Sequence, residues 1–256
     1  MPVPRYTVTD GIVIRRKVLP SGDVVVTLMN EQGKFRAILR KGRLPGGNHG
    51  RLSLFHDVTV QFHRKREDDL ALITQVQLNG ALPRLSSPTT YPYAHVLAEL
   101  ADALTVDVHL GERVYAYLAS GLRGLHGHDD AGHVGLLYAW RLLGVAGLAP
   151  RTKACVACGS PGPLVALDVA AGGLTCEACR HGIPLPPDTV CELQAMVAAP
   201  LRAALRTPPG DRALHWRVLA RYVAFHVSEL RSFESVIEHD LDTAPTPALT
   251  HEVPGV

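Results

Sequence analysis

GIVIRRKVLPSGDVVVTLMNEQGKFRAILR, residues 11–40, decides the fold of the first third of the chain. Three short runs rich in branched residues, 11–18, 24–30 and 34–40, are separated by turn formers, the signature of consecutive strands. Pro20, Ser21 and Gly22 supply the first turn, and Asn30 to Gly33 the second. In the third run Phe35, Ala37 and Leu39 share one face. Lys34, Arg36 and Arg40 point largely to the other, so this strand is expected to present cations outward. Ile38 interrupts the alternation.

Working outward, KGRLPGGNHGR at 41–51 holds four glycines, a proline and three cations, which predicts a loop. SLFHDVTVQFHRKR at 53–66 and DLALITQVQL at 69–78 then predict a hairpin turning at Glu67, Asp68 and Asp69. Leu70, Leu72, Thr74, Val76 and Leu78 are expected on one face of its second strand. Five strands in about 75 residues suit a small barrel of the oligonucleotide-binding (OB) type.

Beyond LPRLSSPTTYP the hydrophobic period lengthens to about 3.6. Helices are predicted over 93–108, 112–125 and 134–148, then over 189–199 and 212–230. The fold class is therefore α+β and multidomain: an N-terminal five-stranded barrel over 1–80, and a helical domain over 81–150 and 183–240. A cysteine-bearing insert occupies 151–182. The tail 241–256, LDTAPTPALTHEVPGV, carries three prolines and is expected to be disordered.

Within the insert, CVAC and CEAC place Cys155, Cys158, Cys176 and Cys179 in two Cys-x-x-Cys hooks separated by seventeen residues. That is the spacing of a four-cysteine zinc site, in which each hook turns two thiolates onto one ion and no coordination position stays open for water. One structural Zn2+ is expected. A redox Cys-x-x-Cys would sit alone beside a βαβ pattern, which is absent. His181, just behind Cys179, is an alternative ligand, and Cys191 is expected as a small buried residue.

Composition bounds the rest. The chain has 256 residues, 46% apolar, 20% charged and 5% aromatic, which is globular and allows about two compact units. No run of eighteen apolar residues and no signal-like segment is found, so no membrane span and a cytoplasmic location are expected. Residues 1–80 carry 13 Lys and Arg against 7 Asp and Glu; residues 81–256 carry 13 against 17. A basic barrel on a mildly acidic remainder points to a polyanion held by the first domain.

The cations concerned are Arg15, Arg16 and Lys17; Lys34, Arg36, Arg40, Lys41, Arg43 and Arg51; and Arg64, Lys65 and Arg66. Such a set neutralises phosphates with little regard to sequence. Tyr6, Phe35, Phe55 and Phe62 are the aromatics at hand, and most are expected in the core. No Walker loop, dinucleotide fingerprint, HExxH or two-metal carboxylate cluster is present, so an enzyme is not expected. His126, His128, Asp129 and Asp130 form an exposed polar turn.

The order of these parts resembles the RecO family of bacterial recombination mediators. The resemblance spans about residues 8–230. It rests on DGIVIRRKVLPSGDVVVTLMNEQGK at 10–34, RKGR at 40–43, the Leu54-Phe55 pair, and LLGVAGLAPRTKACVACGSPGPLVALDVAAGGLTCEAC at 142–179. It implies a non-enzymatic, nucleoid-associated protein that binds single- and double-stranded DNA and anneals complementary strands. Its implied partners are RecR, single-strand-binding protein and, indirectly, RecA. Lys34, Arg36, Arg40, Lys41 and Arg43 would be DNA contacts. A zinc-containing RNA-binding or assembly factor on the same barrel is the alternative.

Overall fold

The computed structural model describes residues 6–40, 48–64, 70–105 and 110–243. Five strands, β1 (Thr7–Val18), β2 (Val24–Asn30), β3 (Gly33–Leu39), β4 (Asp57–His63) and β5 (Ala71–Gly80), close into an OB-type barrel in the order β1-β2-β3-β5-β4. Within the barrel, β3 and β5 pair in parallel and the other described pairs are antiparallel. Both sequence-assigned turns form. Leu19 N–H donates to Asp23 O at 2.8 Å around Gly22, whose φ of 86° suits glycine, and Asn30 faces Gly33 across a two-residue hairpin.

Inside the barrel lie Val13, Val24, Val26, Leu28, Ala37, Leu39, Val58, Val60, Phe62 and their neighbours. The four apolar residues Gly11, Ile12, Val13 and Ile14 are all buried, because β1 is covered on both faces. Val13 points into the barrel, whereas Ile12 and Ile14, with Met29 and Phe55, join the separate core of the helical region. A bulge lies between Val13 and Arg15, where Val13 faces Leu28 but Arg15 already faces Thr27. Without it Arg15 would share Val13's inward side; the extra residue turns Arg15 and Lys17 outward.

A second irregularity corrects the expected face of β5. The inward residues are Ala71, Ile73 and Val76, while Leu70 and Leu78 are 40% and 41% exposed and Thr74 is exposed. The register slips where Gln61 faces Gln75 but Phe62 faces Ile73, so one residue is absorbed and the face changes partway along the strand. Simple alternation cannot anticipate that. Residues 41–47 of the glycine-rich loop lie outside the described residues, and 48–52 form a short 3-10 turn.

Seven helices follow among the described residues: α1 (Tyr91–Leu104), α2 (Gly111–Gly127), α3 (Ala131–Val145), α4 (Pro187–Ala198), α5 (Leu201–Leu205), α6 (Arg212–His226) and α7 (Ser232–Thr243). Between α3 and α4, β6 (Leu164–Asp168), β7 (Gly173–Cys176) and β8 (Ile183–Pro184) form a small sheet. The expected helix over 212–230 ends early, at His226, and α7 was not expected. The α6 C-cap Val227 leaves helical geometry, and Ser232 N–H donates to Glu99 of α1 at 2.9 Å, opening a new helix with a cap supplied from elsewhere in the fold. The short α5 was also unforeseen. Of the tail expected to be disordered, residues 241–243 instead end α7, and 244–256 lie outside the described residues.

Of the expected exposed turn, His126 instead lies in α2 and is half-buried, while His128 and Asp129 are exposed. Asp130 caps α3 by accepting from His133 N–H and pairs with Arg212, while Asp129 faces Arg84. Cys191 is exposed, correcting the expected buried residue: on α4 the buried face is Thr189, Val190, Leu193 and Met196. The helical region and barrel touch closely at Gly111, where a Cβ would lie 2.9 Å from the Gly33 backbone. Among the described residues no helix is long and apolar enough to cross a membrane.

Two histidines, His133 and His215, are buried in the helical core. Burial lowers both below the ordinary 6.5, even though His215 Nε2 lies 2.8 Å from Glu192, whose charge works the other way. The unfolded chain then binds more protons than the fold in the window beneath 6.5. Stability is present above about pH 6.5 and is lost as pH falls through the lower folded values. The urea midpoint of the protein is expected to drop between pH 7.5 and 5.5, and His215→Gln to make that drop shallower.

Candidate nucleic-acid interface and metal centre

The outward face of β1–β2–β3 and one side of α1 enclose a groove of about 730 Å³. Arg15, Arg16 and Lys17 of β1 and Lys34 and Arg36 of β3 line it on the barrel side; His95 and Asp102 line it from α1. The pairing explains the convergence. Arg15 and Arg36 both face Thr27, so the β1 bulge puts cations from two outer strands in one row across the sheet.

Asp102, with its side chain only 15% exposed, joins the two sides. Its carboxylate accepts from Lys34 Nζ at 2.9 Å and from Arg15 Nη1 at 3.1 Å, and Lys34 also donates to the Asp102 carbonyl at 2.8 Å. Two groove cations therefore share one internal anion. Lys17, Arg36 and Arg40 are exposed and, among the described residues, enter no ion pair. If phosphates compete with Asp102 for Arg15 and Lys34, Asp102→Asn should tighten binding of an oligonucleotide and steepen its salt dependence by about one contact or more. Filter binding across a salt series measures it, and unchanged affinity would show that Asp102 serves only to join barrel and helix.

The remaining sequence-assigned cations do not all converge. Arg51 donates to Val76 O at 2.7 Å, so its guanidinium is engaged by β5. Arg64 lies over Phe35 and Phe62, 4.9 and 5.5 Å from the ring centroids. Lys41, Arg43, Lys65 and Arg66 lie outside the described residues. Of the aromatics, Phe55 and Phe62 are buried and Phe35 half-buried, but Tyr6 is exposed. The α1 wall was missed by sequence reasoning, because helical periodicity marks a residue as outward without saying what it faces.

Cys155, Cys158, Cys176 and Cys179 converge as their spacing requires, with all four sulfurs within 4.8 Å of one another. Gly159, at φ 75°, lets the first hook turn: its N–H donates to Cys155 O at 2.9 Å, and Cys155 N–H donates to Ser160 O at 2.8 Å. Strand β7 delivers Cys176. Hydrogen bonds from the Cys176 and Cys158 backbone lower the Cys155 thiol to about 6, whereas sharing hydrogen bonds with Cys158 and Cys176 pushes Cys179 up to about 12. The Cys155 thiolate is favoured, and Cys179 resists following it unless a cation joins them.

The dimensions suit such a cation. Four thiolates about 2.3 Å from a tetrahedral zinc would lie about 3.8 Å apart, and the Cys158 and Cys176 sulfurs are 3.7 Å apart. The cluster could hold one metal ion. His181 is not in it: its Nδ1 lies 3.0 Å from Asp168.

Comparison with known proteins places this geometry. The family model described as Recombination protein O N terminal matches residues 5–81, and that described as Recombination protein O C terminal matches residues 85–232. Curated relatives include the DNA repair protein RecO of Thermobifida fusca, 32% identical over 227 residues that cover 85% of this chain and 92% of the relative. The RecO protein of Streptomyces griseus is 32% identical over 248 residues, covering 89% and 97%. That of Streptomyces avermitilis is 34% identical over 218 residues, covering 80% and 84%. With both halves of the chain matched and relatives aligned over most of their length, the chain belongs to the RecO family of DNA repair and recombination proteins.

Proposed function

We propose that this protein is a non-enzymatic recombination mediator. It binds single- and double-stranded DNA, anneals complementary strands and, with RecR, assists RecA loading on DNA coated by single-strand-binding protein. The single observation that carries the DNA step is the groove between barrel and α1, where Arg15, Arg16, Lys17, Lys34 and Arg36 face one space. Cations on such a surface lower the repulsion between two phosphate backbones, so annealing needs no nucleotide hydrolysis. Salt should weaken it steeply.

The four cysteines hold one zinc ion, and its role is structural because four protein ligands leave no position for water or substrate. It keeps the β6–β8 sheet on the helical core, where partner proteins would dock.

The test is strand annealing of complementary oligonucleotides without ATP, run across a salt series. Acceleration that fades with salt supports the mediator. No annealing, together with preference for folded RNA, would establish the alternative of a zinc-containing RNA-binding or assembly factor. Cleavage of labelled DNA incubated with magnesium would overturn the non-enzymatic assignment.

A further inference from the structure

A row of cations tracks a phosphate backbone but does not by itself separate a single strand from a duplex. Discrimination needs an exposed π-face beside the track, on which an unpaired base can lie. The barrel aromatics provide little there, since Phe55 and Phe62 are buried, Arg64 covers Phe35 and Phe62, and the exposed Tyr6 packs against His63 and is not in the groove lining. The α1 wall provides one.

Tyr91, at the start of α1, is 39% exposed and stacks on His95 one turn later, with centroids 5.7 Å apart and planes at 24°. His95 itself lines the groove, as does Leu54. The tyrosine is held in place from behind. Phe55 meets it edge to face at 5.8 Å and 62°, and Phe55 is the one non-glycine residue with positive φ among the described residues, at 66°. A bulky buried side chain in that conformation is strained, and the strain persists where the surroundings over-determine the position. Here Phe55 N–H donates to Val13 O at 2.8 Å and Val13 N–H to His56 O at 2.9 Å, locking the segment onto β1 beside its bulge. From Tyr91 to Asp102 the helix runs about 16 Å, so the aromatic pair and the ion-paired carboxylate stand at opposite ends of one wall.

We propose that Tyr91 and His95 form a stacking platform for an unpaired nucleobase at one end of the cationic groove, so that the groove takes single-stranded DNA in preference to duplex. The inference rests on the DNA-binding function above. It adds a base contact from the helical domain to phosphate contacts from the barrel.

Binding of a single-stranded oligonucleotide and of a duplex of equal length, measured with the metal-loaded full chain at several salt concentrations, tests it. Tyr91→Ala should weaken single-strand binding about five- to 150-fold, the span of one base–aromatic stack, and change duplex binding less than about twofold. The salt slope should stay unchanged, since no phosphate contact is removed. Tyr91→Phe keeps the π-face and should behave as wild type. Tyr91→Trp adds a reporter outside the core, because Trp140 and Trp216 are fully buried, and its fluorescence should be quenched by the single strand and not by the duplex. Equal loss on both DNAs, no loss on either, or a Tyr91→Trp signal indifferent to the single strand would overturn the platform and leave Tyr91 as packing for its own helix. Wild-type protein that binds neither DNA would overturn the DNA-binding function, and the platform with it.

Discussion

Cys176→Ser is expected to release the metal and to unfold the helical half of the protein at temperatures where the wild type is intact. The reason lies in where the cluster sits. Cys155 and Cys176 are themselves part of the helical core, together with Leu164, Leu167 and Leu174 of the small sheet. The sheet has few strands of its own and two very close backbone approaches. A Cβ on Gly173 would collide with Val156 and Arg151, and one on Gly182 with the Leu167 carbonyl. Such packing holds only while the two hooks are tied. Structural zinc contributes roughly 10–16 kcal/mol in isolated zinc-finger peptides, as much as the whole stability of many domains. A smaller part is expected here because large helices share the core. Trp140 and Trp216 both lie in that core and the barrel has no tryptophan, so their fluorescence reports the helical half alone. Metal content and the thermal midpoint by tryptophan emission are the measurements. Wild-type protein that contains no metal, and melts identically after strong chelation, would remove the zinc assignment.

The second large effect concerns Lys17 and Arg36, which face the groove and, among the described residues, enter no ion pair. Lys17→Glu combined with Arg36→Glu should lower DNA affinity by about two orders of magnitude near 50 mM salt. The magnitude follows from counterion release. Each duplex phosphate contact contributes roughly 0.9 to the slope of log affinity against log salt, which amounts to roughly tenfold per contact when extrapolated from 1 M to 50 mM. The double variant should therefore show a slope shallower by about 1.8 on duplex, and its line should approach that of the wild type near 1 M. Arg51→Ala and Arg64→Ala supply the contrast. Their guanidinium groups lie on the Val76 carbonyl and on two rings, so their removal should lower barrel stability more than DNA affinity. If all four substitutions reduce affinity alike, binding is spread over the barrel and the groove is not the site.

How much of this was legible beforehand differs from element to element. The strands of the barrel could be read because their apolar positions recur every second residue, as with Phe35, Ala37 and Leu39. The inward face of β5 could not, since the slip at Gln61 and Phe62 depends on the opposite strand. The break between α6 and α7 was hidden for a similar reason: the cap on Ser232 comes from Glu99, 133 residues away. For the candidate site, the groove-facing cations of β1 and β3 were visible as a set, but their sorting was not. Arg36 and Arg64 are the same residue type in the same basic domain, and only one of them faces the groove.

What residues 11–40 determined by themselves is the barrel's first three strands and the outward side of β3, because side-chain alternation and turn chemistry are local. The cysteine pairs likewise determined their own convergence, through short hooks that need little help from the rest of the chain. Tertiary structure alone decided that the barrel's cations meet α1, bringing Asp102 against Arg15 and Lys34 and His95 to the wall of the same groove. The Asp102 contacts join residues 68 and 87 positions apart, held by the shared burial of Ile12, Ile14, Met29 and Phe55 in the helical core. No local pattern encodes which face of one element will meet which face of another; packing of the two cores selects it.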